Sequence, residues 1–465
     1  MLSGFSPTAV EQYYLTLLND ARFNPGAYGV SLGIDLSTVA ASQPLAMNPL
    51  LVESARLHSQ DMIANNYFAH VTPSGVDPGG RIAQTGFVAN GWAESIETNT
   101  QPSAYGGGFP ANYAATDAAY SLSNLIVDQG VPDLGHRIML LDIGGQDALM
   151  RQVGIGIASQ VIQGYNIPFD YQQTDTTIDL AGSSYTGAYL TGVVFNDLAG
   201  NGEYQPGEGL GGVTISVAGV GTTTTMDAGG YSIPLAPGTY TVTASGGGLA
   251  SPIARTVDVG NSNVLLNFDA NPNGATLAAG SSGAAGGTLG TFSAMAAGDT
   301  PSSYSAKIDW GNGNTSFAML TPNANGTFSV QGANLYSAPG LYEVRVLVTH
   351  LSDGRTVAIN AAVVVGGTGQ SSAGIGGGGG GGGSSSGVGS LTGTTSGAPT
   401  VSRHGRHVRK TLKFHRTVRH FQHFSTRHAV RQHMLAFDRA HHGQTIPLVF
   451  VAPDTTRPPG FPRFS

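Results

Sequence analysis

The sequence predicts a multidomain chain: an N-terminal α/β domain, two all-β sandwiches, then a disordered linker and a basic tail. Three observations carry that expectation. Helical spacing of apolar residues marks several segments of residues 1–182. Short strands broken by Gly and Pro fill 186–366. A Gly/Ser-rich stretch at 367–400 then separates a body of one charge from a tail of the other. At 465 residues the chain is long enough for several separate cores.

The first region, 1–182, opens with Ser6 placed to cap a helix and Pro7 in its first turn. Val10, Tyr14, Leu17, Leu18 and Ala21 recur at helical spacing until "NPGAYG" interrupts them. A second helix is expected from Asn48, with Leu51, Ala55, Leu57, Met62 and Ile63 as its apolar face, fading at Asn65-Asn66. His58 then lies inside this helix and His70 just beyond its end. A third helix is expected over 112–126, followed by the turn "GVPDLGH" and a helical "RIMLL". "RQVGIGIAS", at 151–159, alternates like a buried strand. In 186–269 the strands "AYLTGVVFND", "GGVTISVAG", "GGYSIPL" and "GTYTVTAS" suggest one small sandwich. In 270–366 "SYSAKIDWGNGN", "GTFSVQG" and "GLYEVRVLVTH" suggest a second.

Composition narrows the function classes. Only 11% of residues are charged, against roughly 25% in ordinary soluble proteins, while small and polar residues abound. That bias suits an exported bacterial protein built largely of β-structure. The absence of Cys excludes a disulfide framework, a cysteine-based zinc site and a thiol nucleophile. No apolar run reaches the ~18 residues that a membrane-spanning helix needs. The start, "MLSGFSPTAVEQYY", shows no basic n-region and apolar h-region, so no secretory signal peptide is visible. An extracellular or cell-surface location is the expectation, reached with a signal already removed or with a C-terminal address.

Charge is sharply divided. Residues 401–465 carry 12 Lys+Arg against 2 Asp+Glu, a balance of +10, whereas residues 1–400 carry 9 against 26, a balance of -17. The tail also holds nine of the thirteen histidines, interleaved with Val408, Leu412, Val418, Phe421 and Phe424. Its readings are a basic amphipathic helix anchored on anionic surface polymer or lipid headgroups, nucleic-acid contact, metal capture by His, a disordered extension, or one that docks on its own acidic body. Nucleic acid is not the favoured partner. In the linker, Gly383-Ser384-Ser385-Ser386-Gly387 matches G-x-S-x-G formally, but without a strand before it or a helix after it the match is compositional.

Candidate chemistry in the first region rests on His58, His70, Glu94 in "GWAESIE" and His136 in "DLGHRIMLL". Two imidazoles and a carboxylate can hold a divalent cation with open positions, or share acid–base work near neutral pH. Spacing does not bring them together, since no H-E-x-x-H places two ligands on one helical face. Isolated histidines are more often surface or hydrogen-bonded core residues.

The order of "EQYYLTLLNDARFNP", "ARLHSQDMIANNYFAHVTPSG", "GGRIAQTGF", "AESI", "GHRIMLL" and "QVGIGIA" resembles the bacterial branch of the CAP superfamily, the SCP-like extracellular domains. The resemblance implies an α-β-α sandwich with a cleft lined by two histidines and acidic residues. It places His70, Glu94 and His136 there, with His58 and Asp128 in support; the two imidazoles are expected to bind a cation such as Zn2+, with Glu94 completing the shell or orienting a bound water. Where the family has Gly-Glu-Asn this chain has Ala93-Glu94-Ser95, and "TQPSAYGGGFPANYAATD" lengthens the proposed rim. Such domains mostly act as secreted binding modules for sterols, lipids or other proteins, so a binding or adhesion module is the first expectation, with a lipid, protein or polysaccharide as its extracellular ligand. A metal-dependent hydrolase, a peptidase or cell-wall enzyme using the same cluster, is the second. Whether the chain is an enzyme at all stays open at this level.

The second region contains "DLAGNGEYQPGE". Against a twelve-residue calcium loop, Asp197 falls at position 1, Asn201 at 5, Glu203 at 7 through its carbonyl, Gln205 at 9 and Glu208 at 12; Ala199 fails at position 3. The alternative is a polar turn without an ion. With its flanking strands the region resembles prealbumin-like B repeats of bacterial adhesins, which implies bound Ca2+. The third resembles PKD-type Ig-like domains, which makes Trp310 and Tyr342 core residues.

Overall fold

The computed structural model describes residues 5–103, 108–145, 149–163, 169–280 and 282–366. The expectations for the linker (367–400) and the basic tail (401–465) lie outside the described residues.

The first region runs α1 (Ala9–Phe23), α2 (Pro25–Ser31), β1 (Ala46–Met47), α3 (Pro49–Asn65), α4 (Pro78–Gln84), β2 (Gly91–Pro102), α5 (Tyr113–Val127), α6 (Gly135–Leu141), β3 (Gln152–Ile162) and β4 (Tyr171–Gly182). Helix α1 is capped by Thr8 rather than Ser6. Thr8 Oγ1 accepts from Glu11 N, and the Glu11 carboxylate accepts from Thr8 N, a reciprocal pair Ser6 cannot form. The break at "NPGAYG" lasts one residue: Asn24 leaves the helix and Pro25, preset for a first turn, starts α2. Asn48 caps α3 through Leu50 N at 2.9 Å, and Asn66 closes it in the left-handed region.

The sheet has the order β1-β3-β4-β2, with β1 parallel to β3 and the other pairs antiparallel. Tyr14 and Leu18 of α1, Leu122 and Ile126 of α5 and Leu140 of α6 pack with Val153, Ile155, Ile178 and Leu180 of the sheet. Helix α3 lies on the opposite face. A Cβ on Gly154 would sit 2.0 Å from the Leu51 carbonyl carbon, and one on Gly156 2.0 Å from Arg56 N. Backbone therefore meets backbone there. Glu11, fully buried, ties the layers by taking Arg56 Nε at 3.0 Å and Ile157 N at 3.1 Å.

The second region comprises β5 (Ala188–Phe195), β6 (Thr214–Val217), β7 (Gly221–Thr224), β8 (Gly230–Leu235), β9 (Gly238–Ser245), β10 (Ile253–Val259), β11 (Val264–Leu265) and β12 (Phe268–Asp269). The third comprises β13 (Thr276–Ala278), β14 (Ala284–Ser293), β15 (Tyr304–Asp309), β16 (Thr315–Phe317), β17 (Met319–Pro322), β18 (Thr327–Leu335), β19 (Gly340–His350) and β20 (Thr356–Val365). Each has its own apolar core. Trp310 and Tyr342 are buried in the third, with Trp310 Nε1 donating to Ser316 Oγ at 3.0 Å.

The regions share a sheet and a buried ion group. β10 pairs with β19 at Thr256↔Tyr342, so one sheet runs β13-β20-β19-β10-β9-β6-β7 across the second and third regions. At the meeting of all three, Arg345 Nη2 of β19 lies 2.9 Å from Asp20 Oδ1 of α1 and 2.8 Å from Glu203 Oε2. All three side chains are buried.

Candidate functional site

His70 stands on the segment leaving α3, and two partners fix it. Its Nδ1 is 2.8 Å from Glu94 Oε1, and Arg81 of α4 donates through Nη1 to the His70 carbonyl at 2.7 Å while its Nη2 binds Glu94 Oε2. Both oxygens of Glu94 are thus engaged. The carboxyl is 1% exposed, whereas the His70 side chain is 43% exposed. Burial, reinforced by the nearby His136 and Arg81, lowers the His70 pKa to about 4, so the ring is neutral at physiological pH.

His136, at the start of α6, is held the same way. Asp128 ends α5 in the left-handed region, and its carboxylate accepts from His136 Nδ1 at 2.8 Å, His136 N at 3.0 Å and Arg137 N at 3.2 Å. One side chain therefore orients the imidazole and satisfies the first amides of α6. Asp133 is exposed and takes no part in these bonds.

His58 is 1% exposed and points Nε2 at the Ala69 carbonyl, 3.1 Å away, with Nδ1 3.4 Å from the Tyr67 hydroxyl. It pins the segment that carries His70 to α3. Burial and the Arg81 charge lower its pKa to about 3. Between pH 3 and the ordinary value near 6.5 the unfolded chain binds the proton and the folded chain does not. The stability from neutral His58 is therefore complete above about pH 6.5 and is lost as pH falls toward 3. Denaturant titrations of His58→Gln against the unchanged protein should show the advantage of histidine shrinking by about 2–3 kcal/mol between pH 7 and pH 4.5. A pH-independent difference would refute this.

Two residues of the site carried no role in the sequence. Arg81 lies in "GGRIAQTGF", where nothing nearby announces its target. Asp179 lies directly across from Glu94 in the β2–β4 ladder, fully buried beside Ser54 and Glu94, yet neither of its carboxyl oxygens makes a well-formed hydrogen bond. Burial and repulsion from Glu94 push the Asp179 pKa well up, and burial raises Glu94 to about 7 against the pull of Arg81. An acidic residue between the apolar Ile178 and Leu180 at the end of β4 was the available signal.

With Nδ1 spent on a carboxylate, each imidazole has Nε2 left for a ligand. Carboxylate-backed imidazoles suit a zinc-class cation. Among the described residues no three His, Cys, Asp or Glu side chains converge in a metal-holding group; His70 and His136 keep one free ring nitrogen each.

The loop 197–208 is folded by its own acidic groups. Asp197 accepts from Asn201 N and Gly202 N, Asn201 Oδ1 from Glu203 N, and Glu208 from Leu198 N, Ala199 N and Gln205 N. The Glu203 carboxylate turns away to Arg345. Asn201 O and Gly202 O accept from Ala358 N and Asn360 Nδ2 of β20, which docks the loop on the third region.

Among the described residues no helix is long and apolar enough to cross a membrane. No family model and no curated protein matches the chain. Among solved structures it is similar to an extracellular protein containing an SCP domain from Bacillus anthracis str. Ames, at 23% identity over 29% of this chain and 34% of that one, TM-score 0.18. It is also similar to a DUF3823 family protein from Bacteroides ovatus ATCC 8483, at 13% identity over 38% and 98%, TM-score 0.15. A third likeness is to SGBP-B of the Bacteroides ovatus mixed-linkage glucan utilization locus in complex with a heptasaccharide, at 13% identity over 33% and 37%, TM-score 0.15. The chain spans about a third of the SCP-domain structure's length, and likenesses at these TM-scores carry no argument.

Proposed function

We propose that the first region is an extracellular binding module whose cleft holds a zinc-class cation between His70 Nε2 and His136 Nε2, with waters completing the coordination. The observation that supports this is the pairing of each Nδ1 with a buried carboxylate, Glu94 or Asp128, at 2.8 Å. This arrangement orients the ring and selects the tautomer that leaves Nε2 unprotonated and free for a metal. Glu94 acts through His70 and not as a ligand, because Arg81 holds its second oxygen. A cation so held presents open positions to an anionic or carbonyl-bearing ligand on a lipid, protein or polysaccharide. The proposal extends to Ca2+ at 197–208, where Asp197, Asn201, the Glu203 carbonyl, Gln205 and Glu208 have loop spacing.

Equilibrium dialysis of residues 1–366 against zinc avoids the nine tail histidines. One equivalent should bind, with affinity falling about a hundredfold or more in His70→Ala and in His136→Ala. Unchanged binding in both variants would remove the cation. Zinc-dependent turnover of ester, peptide or cell-wall substrates would replace the binding reading with the hydrolase.

A further inference from the structure

A second polar cluster lies between β2, β4 and α5, on the sheet face away from α3. Glu97 and Asn99 alternate with outward residues of β2, and Thr174 sits across the ladder from Asn99. Asp117 and Asn124, seven residues apart, share one face of α5. All but Asn124 are more than nine-tenths buried.

The hydrogen bonding is incomplete. Asn124 Nδ2 donates to Glu97 Oε1 at 3.0 Å and Asn99 Nδ2 to Glu97 Oε2 at 3.3 Å. Thr174, Asn99 and Tyr113 surround Asp117. Even so, Asp117 Oδ1, Asn99 Oδ1, Thr174 Oγ1 and Tyr113 Oη are all buried without a well-formed hydrogen bond. Buried polar atoms rarely go unpaired, and these four belong to Asp117 and the three side chains beside it. The charge is incomplete as well. Glu11 has Arg56, Glu94 has Arg81, and Glu343 has Arg255. The groups acting on Glu97 and Asp117 are neutral side chains, with Asp117 adding repulsion to Glu97.

We propose that this seam is a second cation site, which takes a hard divalent ion of the calcium class through Asp117, Glu97, Asn99 Oδ1 and Thr174 Oγ1. The donor set is oxygen only, with two carboxylates, an amide and a hydroxyl, which selects calcium over zinc or copper. The ion would supply the missing positive charge and partner the free oxygens. It would also brace β2 against α5, the two elements that carry Glu94 and Asp128, without touching the cleft.

The test uses the full chain with Glu208→Gln, which disables the loop at 197–208. Calcium should raise Tm with the logarithm of its concentration, and terbium should show emission sensitised by tyrosine. Adding Asp117→Asn should abolish both or weaken affinity by about tenfold or more, while raising Tm in EDTA because a buried repulsion is gone. Two results would overturn the site: no calcium or terbium response in Glu208→Gln, or a response that survives both Asp117→Asn and Glu97→Gln. If Asp117→Asn does not fold, Glu97→Gln and the terbium titration of Glu208→Gln decide alone.

Discussion

Arg345→Met is expected to destabilise the protein by about 3–5 kcal/mol, because it strands two buried carboxyls that share one guanidinium. Asp20 Oδ1 and Glu203 Oε2 both bond Arg345 Nη2. Burial and the Asp20 charge raise Glu203 to about 8 against the pull of Arg345. One proton therefore stays in the triad at neutral pH, and the buried group is close to neutral overall. Two further outcomes follow from that charge state. Glu203→Gln, which mimics the protonated acid, should change stability by less than about 1 kcal/mol. Adding Asp20→Asn and Glu203→Gln to Arg345→Met should recover most of the loss, because the triple variant leaves no unpaired buried charge. Urea unfolding at pH 7 reads all three. A small effect of Arg345→Met alone, or no recovery in the triple variant, would contradict the account.

Gly156→Ala is expected to cost about 3 kcal/mol or more, the upper range for overpacking, because the new methyl meets main chain and not a side chain that can rotate away. Its Cβ would lie 2.0 Å from Arg56 N and 2.2 Å from the Ala55 carbonyl carbon. Relief requires α3 to lift from the sheet. That motion stretches the Ser59 hydroxyl bonds to Gly156 O and Thr177 Oγ1, both 2.9 Å. It also displaces His58, one residue before Ser59 and the anchor of the His70 segment. Zinc affinity in residues 1–366 should therefore fall along with the denaturation midpoint. Gly260→Ala is the control: nothing lies within 4 Å of its Cβ, so the change should stay within about 0.5 kcal/mol. Equal midpoints for the two variants would show that α3 is not seated on Gly156.

Helices α1, α3 and α5 were legible because their apolar residues repeat at helical spacing and their ends carry local signals, as Asn48 does for α3. Strands β2 and β4 were not. Their Glu, Thr, Asn and Asp residues face inward, which erases the alternation that marks a strand, and polar residues are stable inside only where partners from elsewhere meet them. His70, Glu94 and His136 were named from a resemblance in motif order. Arg81 and Asp179 went unseen because their roles depend on a cross-strand register and a helix placement that no local pattern encodes.

The sequence by itself determined the local structure and the charge: which segments coil, where the strand-rich half begins, and how an acidic body is set against a basic tail. Only the tertiary structure decided which charges are buried, which imidazoles are held neutral and which glycines are contacts. Arg345 meets a carboxylate 325 residues away and Asn360 a carbonyl 158 residues away. Propensity acts over a few neighbouring residues, but desolvation and pairing are set by whatever the completed fold brings alongside.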